Sequence, residues 1–313
     1  MAGVTVLPHG SPALARLGNH GVDKTDLRLG NRALARPVTQ AQIHSHPGHS
    51  AGIDKGGIRM DMWKFFDITH REHILCNPMS LEKLEQLITL LPLKPGARVL
   101  DIATGKGEFL IRLAERYRQM TGTGVDFSPY CIADIHKKHQ ERVPDAQLHF
   151  LEMDGAKYVP ETLESFDLVA CIGASWIYGG HRGTLNALQK MAAPESWIVV
   201  GEPYWRHEPE REYLEAIGQT RNNFGTHYQN VEVGREHGLE AVYTLVSSQD
   251  DWDRYEGLQW YAAETWAIDH RDDPDVETVL KRVRESKTAY LKWGRETLGW
   301  AIYVFKKGGI AHF

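Results

Sequence analysis

The chain has 313 residues, of which 42% are hydrophobic, 10% aromatic and 25% charged, the composition of a water-soluble globular protein with a sizeable core. A mean hydropathy of −0.41, with no apolar run of membrane-spanning length, excludes a transmembrane helix. A net charge of −5 supplies no basic footprint, so neither a nucleic acid nor a membrane is an expected partner.

Charge and aromatic content are unevenly spread. Residues 1–60 contain no Phe, Trp or Tyr, five of the sixteen histidines, and seven basic residues against three acidic ones. Such a segment buries too little apolar area to offset its ordering entropy, so residues 1–60 are expected to form a disordered, basic extension. Its start, MAGVTVLPHG, has neither a charged n-region nor a long apolar h-region, so a secretory signal is not expected. His44, His46 and His49 have a metal-like spacing, but their Gly and Pro neighbours supply no rigid geometry, and no metal site is expected. Cys76, Cys131 and Cys171 form no C-x-x-C pair, which argues for free thiols and a cytoplasmic location.

From residue 61 to 313 the pattern is that of one folded unit. Ser80 reads as the N-cap of a helix with Leu81, Leu84, Leu87, Ile88 and Leu91 on one face, stopped by Pro92 and Pro95-Gly96. The run 97–102 (ARVLDI) reads as a buried parallel strand, followed by a small-residue loop over 103–107 and a helix carrying Phe109, Leu110, Leu113 and Tyr117. A strand over 123–126 leads into a helix opened by Ser128-Pro129, an N-cap with proline at the first helical position. Further strands are expected at 147–152, 166–172 and 196–202, with a helix over 184–191 between the last two. The runs 239–247 and 299–307 read as a closing pair of strands. Residues 250–297 between them hold Trp252, Tyr255, Trp260, Tyr261, Trp266, Tyr290 and Trp293, with helical patterning from 274 to 293, and read as a helical cap. This alternation predicts an α/β fold with a doubly wound, mostly parallel sheet whose ligand sits at the carboxyl ends of the strands.

The chemistry concentrates in the loop after the first strand. Counting from Gly105, a dinucleotide fingerprint would require glycine where Leu110 stands. Asp101, at the strand end, suits a ligand carrying positive charge better than a pyrophosphate. The run Asp101-x-Ala103-x-Gly105-x-Gly107 resembles the first motif of the S-adenosylmethionine-dependent methyltransferases with the Rossmann-like, seven-strand fold. Ala103 stands where that family carries its first glycine. The resemblance extends over roughly residues 64–306 and looks closest to small-molecule members related to quinone-biosynthesis methyltransferases.

The resemblance implies S-adenosylmethionine as cofactor, a seven-stranded sheet, and methyl transfer to a small molecule. It implies that Asp101, Ala103, Thr104, Gly105 and Gly107 form the cofactor loop and that Asp126 accepts hydrogen bonds from the ribose hydroxyls. It further implies that Phe127 lies beside the adenine, that Asp154 and Gly155 reach its amino group, and that Cys171 and Ile172 approach the methionyl part. The segment over 65–80 (FFDITHREHILCNPMS) is expected to fold over the cofactor, with Thr69, His70 and Arg71 near the methionyl carboxylate.

Candidate catalytic groups follow the fourth and fifth strands: Glu202, His181 and Tyr204, with His207, His227, Tyr228 and Asp251 further off. A helix-capping role competes for His181, and packing roles compete for Tyr204 and Trp205. Trp252, Tyr255 and Trp260 could enclose a cationic amine or could form the cap's core. Two other functions remain open at this point: an NAD(P)-dependent oxidoreductase on a similar sheet, and a non-catalytic S-adenosylmethionine-binding module.

Overall fold

The computed structural model of the protein describes residues 60–308. The expected extension over 1–60, and with it His44, His46 and His49, lies outside the described residues apart from Met60. Among the described residues no helix is long and apolar enough to cross a membrane.

Two helices precede the sheet: α1 (Met62–His70), capped by Asp61, and α2 (Leu81–Thr89), capped by Ser80. The α/β alternation then runs β1 (Arg98–Ile102), α3 (Glu108–Arg116), β2 (Thr121–Asp126), α4 (Pro129–Arg142), β3 (Gln147–Glu152), β4 (Phe166–Ile172), α5 (His181–Met191) and β5 (Ala192–Trp205). After β5 come α6 (Arg211–Ile217), α7 (His227–Glu236), β6 (Leu239–Val246), α8 (Gln249–Asp269), α9 (Val276–Ala289) and β7 (Leu298–Lys307). The seven strands lie in the order β3-β2-β1-β4-β5-β7-β6. The pairs among β1 to β5 are parallel, whereas β7 is antiparallel to both β5 and β6. The expected mostly parallel, doubly wound sheet is therefore present.

Strand alternation assigns each residue to one of two cores. Val99, Val199, Trp300, Ile302 and Val304 face one side, with Leu87, Leu110 and Leu113 of α2 and α3. Leu100, Ile102, Ile198, Val200, Tyr303 and Phe305 face the other, with Leu185 and Leu188 of α5. Gly122 and Gly124 of β2 make room for Leu110: a Cβ at either would come within 3.3 Å or less of its methyls. Strand β5 is twice the length expected from its apolar run. Nine register pairs with β7, from Trp197–Lys306 to Trp205–Leu298, carry it well beyond its parallel neighbour β4.

The expected cap is helical, yet it is not a detached lid. Trp252 and Tyr255, in the first turns of α8, belong to the main core beside Trp300. Only the second half of the helix leaves the sheet, where Ala263, Trp266 and Ala267 pack with Met60, Phe65 and Ile68 and with Val279 and Val283 of α9. Lys64 of α1 ties this outer cluster together through Asp273 (2.9 Å) and Asp275 (2.7 Å).

Candidate functional site

Parallel strands bring their carboxyl ends to one edge, and there the chain leaves room for a ligand. A cavity of about 390 Å³ opens between the ends of β1, β2 and β4, the loops that follow them, α1, and the linker joining α1 to α2.

The loop after β1 turns sharply because three alternate residues, Ala103, Gly105 and Gly107, have positive φ (55°, 57° and 70°). Gly105 and Gly107 adopt this without strain, whereas Ala103 holds a left-handed conformation that costs an alanine about 1 kcal/mol. Gly107 then caps α3, and a Cβ on it would lie 2.7 Å from Ile135 Cγ1. The loop is clamped from outside: Lys106 Nζ donates to the His70 carbonyl at 2.9 Å, and its own carbonyl accepts from Lys138 Nζ at 3.0 Å.

Two buried carboxyls flank the loop. Asp101 Oδ2 accepts from Thr104 Oγ1 at 2.7 Å. Burial, helped by the neighbouring Asp126 and opposed by Thr104, pushes its pKa up to about 7. Asp126 Oδ2 accepts from the Gly105 amide at 2.8 Å and Oδ1 from the Ser128 amide at 2.9 Å. Burial raises Asp126 to about 6 against the pull of the Ser128, Gly105 and Phe127 amides. The Phe127 amide also bonds this carboxylate, so the backbone takes three of its four lone-pair sites and leaves the remaining acceptor capacity to the cavity that Asp126 lines.

The third carboxyl at this edge, Glu108, is neutralised within the protein. Burial alone would raise its pKa, but hydrogen bonds from Arg142 and Arg112 outweigh that and hold it below the usual range. Asp154 accepts from the Ala156 amide at 3.0 Å, and Gly155 behind it is too close to Ile102 to carry a side chain. Phe127 is half exposed, with its ring 5.5 Å from that of Trp63 on α1.

The structure therefore brings Asp101, Ala103, Thr104, Gly105, Asp126, Phe127, Asp154, Gly155 and Ile172 to one cavity. Gly107 shapes the loop without lining it. Cys171 does not reach the cavity, because alternation along β4 turns its side chain into the opposite core while Ile172 faces the ligand side. Its burial raises the thiol pKa.

None of the three catalytic candidates lines the cavity. A Cβ on Gly201 would meet Trp300 and Ile172, so Glu202, the next residue, points to the far face. There Glu202 is fully buried, Oε2 has no partner, and burial, opposed by a hydrogen bond with Ser175, raises its pKa to about 8. His181 is packed on Tyr303 and donates from Nε2 to the Asn230 carbonyl at 2.9 Å. Burial lowers its pKa to about 4, so it stays neutral. Tyr204 shares that face, with its ring 5.0 Å from His227.

None of the more distant candidates lines the cavity either, and Tyr228 is exposed. His227 Nδ1 meets the Tyr303 hydroxyl at 3.0 Å, and Asp251 is ion-paired to Lys83 at 2.5 Å. Thr69 bonds back to the Phe65 carbonyl, His70 Nε2 meets the Tyr255 hydroxyl at 2.8 Å, and Arg71 faces Glu72 at 3.8 Å. Trp252 and Tyr255 are core residues, and the cation over Trp260 is Lys287, at 5.1 Å from the ring centroid.

Several cavity residues had no signal of their own in the sequence, and only those within 65–80 were anticipated, as part of the covering segment. Trp63, Phe66, Ile74, Leu75, Cys76 and Asn77 form one wall, and Trp176 with Ile177 forms another.

A family model described as a methyltransferase domain matches residues 99–194. The uncharacterised protein YjhP of Escherichia coli K12 is 33% identical over 247 residues, spanning 78% of this chain and 98% of its own. A methyltransferase from Geobacter sulfurreducens, solved with S-adenosylhomocysteine, is 31% identical with a TM-score of 0.72, covering 77% of this chain and 97% of its own. Its counterpart from Thiobacillus denitrificans, also solved with S-adenosylhomocysteine, is 33% identical with a TM-score of 0.72, covering 79% and 99%.

Proposed function

We propose, from the premise that this chain belongs to the S-adenosylmethionine-dependent methyltransferases, that the cavity binds the cofactor through Asp126 and the glycine loop and delivers its methyl group to a small, largely apolar acceptor. The enzyme class and the cofactor follow from the family; the assignment of residues and acceptor is our reading of the site. The observation that carries it is the Asp126 carboxylate. The amides of Gly105, Ser128 and Phe127 fix its orientation, and its remaining acceptor capacity is left on the cavity side to meet a pair of vicinal hydroxyls.

When bound, S-adenosylmethionine supplies an electrophilic methyl on a sulfonium sulfur. The protein's part is to bind, orient and keep water out. Phe127 and Trp63 provide a stacking surface for a flat base. Asp154, held by Ala156, offers an acceptor at the rim. Asp101, close to half-ionised near neutral pH, places partial negative charge beside the loop.

Leu75, Met79, Ile172, Trp176 and Ile302 give the remaining wall an apolar character suited to a small organic acceptor. With Glu202, His181 and Tyr204 on the far face, no general base is assigned, and acceleration rests on alignment and dehydration of the reacting pair. An acidic folded body and a cytosolic setting belong to the same reading, in which no nucleic acid is a partner.

Titration calorimetry with S-adenosylhomocysteine tests the proposal. The wild type binds, and Asp126→Ala loses two charge-assisted hydrogen bonds and with them roughly a hundredfold in affinity. Failure of the wild type to bind at millimolar concentration would sink the reading. Undiminished affinity in a folded Asp126→Ala variant would overturn the ribose assignment.

A further inference from the structure

Two cysteines that the methyl-transfer reading leaves unused meet at the cofactor cavity. Cys76 lies in the linker between α1 and α2, and Cys131 in the first turn of α4. Both line the cavity, and their thiols hydrogen-bond to each other. The Cys76 side chain rests on the glycine loop, where a Cβ at Gly105 would come within 3.6 Å of its sulfur. The Lys106 backbone hydrogen-bonds the same sulfur, and the Lys106 ammonium lies near it. Both thiols sit within the electrostatic reach of Asp126, the group assigned to the ribose. Cys171, in the opposite core, has none of these features.

We propose that Cys76 and Cys131 form a modification site, a dithiol that low-molecular-weight disulfides convert into an intramolecular disulfide, closing the cavity to the cofactor. The Cys76 thiolate attacks one sulfur of glutathione disulfide, forming a mixed disulfide and releasing one glutathione thiolate. The Cys131 sulfur then attacks the Cys76 sulfur, forming the Cys76–Cys131 bond and releasing the second glutathione. The protons of the two cysteines end on the two glutathione thiols, the dithiol is oxidised, and glutathione disulfide is reduced. The order of attack follows the environment. The Cys131 hydrogen bond, followed by Lys106, favours the Cys76 thiolate over the opposing effect of burial, whereas the same hydrogen bond and burial hold the Cys131 proton on. The effect on the cofactor rests on the methyltransferase reading of this cavity; formation of the disulfide does not.

The test treats the full-length protein with glutathione disulfide, maps its peptides without reduction, and measures S-adenosylhomocysteine affinity before and after. The expected product is a Cys76–Cys131 linked peptide with Cys171 unmodified. Affinity falls at least about tenfold and returns on adding dithiothreitol, and saturating S-adenosylhomocysteine slows the oxidation by a similar factor through linkage. Cys131→Ser should accumulate glutathione on Cys76, and Cys76→Ser should react slowly or not at all. Absence of the linked peptide overturns the dithiol. A linked peptide with unchanged affinity overturns the closure. If the reduced protein fails to bind S-adenosylhomocysteine, the methyltransferase reading falls instead, and the peptide map still decides the dithiol.

Discussion

Glu202 separates a catalytic from a structural role most cleanly, and Glu202→Gln is the perturbation. The side chain is buried on the face of β5 opposite the cavity, with its pKa raised from 4.5 to about 8, chiefly by burial. A carboxyl raised in the fold binds its proton more tightly there than in the unfolded chain. Stability is therefore greatest below the unfolded pKa and declines as pH rises from about 4.5 to about 8, by about 1.4 kcal/mol per unit. The full loss is on the order of 5 kcal/mol. Glutamine keeps the shape and cannot ionise, so the variant should match the wild type near pH 5 and exceed it by a few kcal/mol near pH 8. Glu256, also buried and raised to about 8, contributes a slope of its own, which the comparison cancels because both proteins carry it. Urea unfolding across the pH range measures the difference, and calorimetry should find S-adenosylhomocysteine affinity unchanged. Parallel pH profiles, or a tenfold loss of affinity with unaltered stability, would refute the placement of Glu202 outside the site.

Two further substitutions probe the same geometry. Gly107→Ala puts a Cβ 2.7 Å from Ile135 Cγ1 at a φ of +70°, a combination that should cost about 2–3 kcal/mol. It should lower the melting temperature by roughly 5 °C or more and weaken S-adenosylhomocysteine, both readable in one thermal-shift series. His181→Gln removes a buried imidazole whose pKa is lowered from 6.5 to about 4 by burial. The wild type loses that contribution as pH falls from about 6.5 towards 4, so the variant should lose up to about 3 kcal/mol less over this range. An identical acid limb in both proteins contradicts the buried, neutral assignment.

How far the sequence could be read depended on whether its signals were local. The strand ends and caps around Asp101, Asp126 and Ser128 were legible because apolar runs, glycine turns and the Ser-Pro start each act within a few residues. Helix α7 was passed over, although Thr226 and Gln229 form a reciprocal capping box at its start, because its buried face is only Asn230 and Gly234. Gly234 is small for a reason invisible locally: a Cβ there would strike the Phe305 ring. The catalytic candidates, which do not line the cavity, illustrate a different limit. For Glu202 and Tyr204 the strand end was correctly placed, but the face each side chain takes depends on register, and a one-residue step along β5 separates Glu202 from Gly201, whose Cβ position faces Ile172 and Trp300. The aromatic wall of Trp63 and Phe66 was harder still, since it depends on α1 folding back from a distance.

That folding back explains how residues that line no ligand surface can shape one. The outer half of α8 and all of α9 stand away from the cavity, yet they grip α1 through Phe65 and Ile68 and through Lys64 with Asp273 and Asp275. At its end, α1 delivers the His70 carbonyl to Lys106, which fastens the glycine loop. His70 and His73 each engage Tyr255, the first through its hydroxyl and the second through its carbonyl. Residues 74–77 are thus held between α8 on one side and α2 on the other, and they present Cys76 and Asn77 to the cavity. Isolated surface ion pairs such as those of Lys64 contribute about 1 kcal/mol or less, so the grip must come mainly from the apolar cluster. The insertion before the last strand therefore acts as a buttress for the cavity wall. Changes in its outer face should reach the cofactor only through α1, whereas changes in its buried aromatics should reach it through the core.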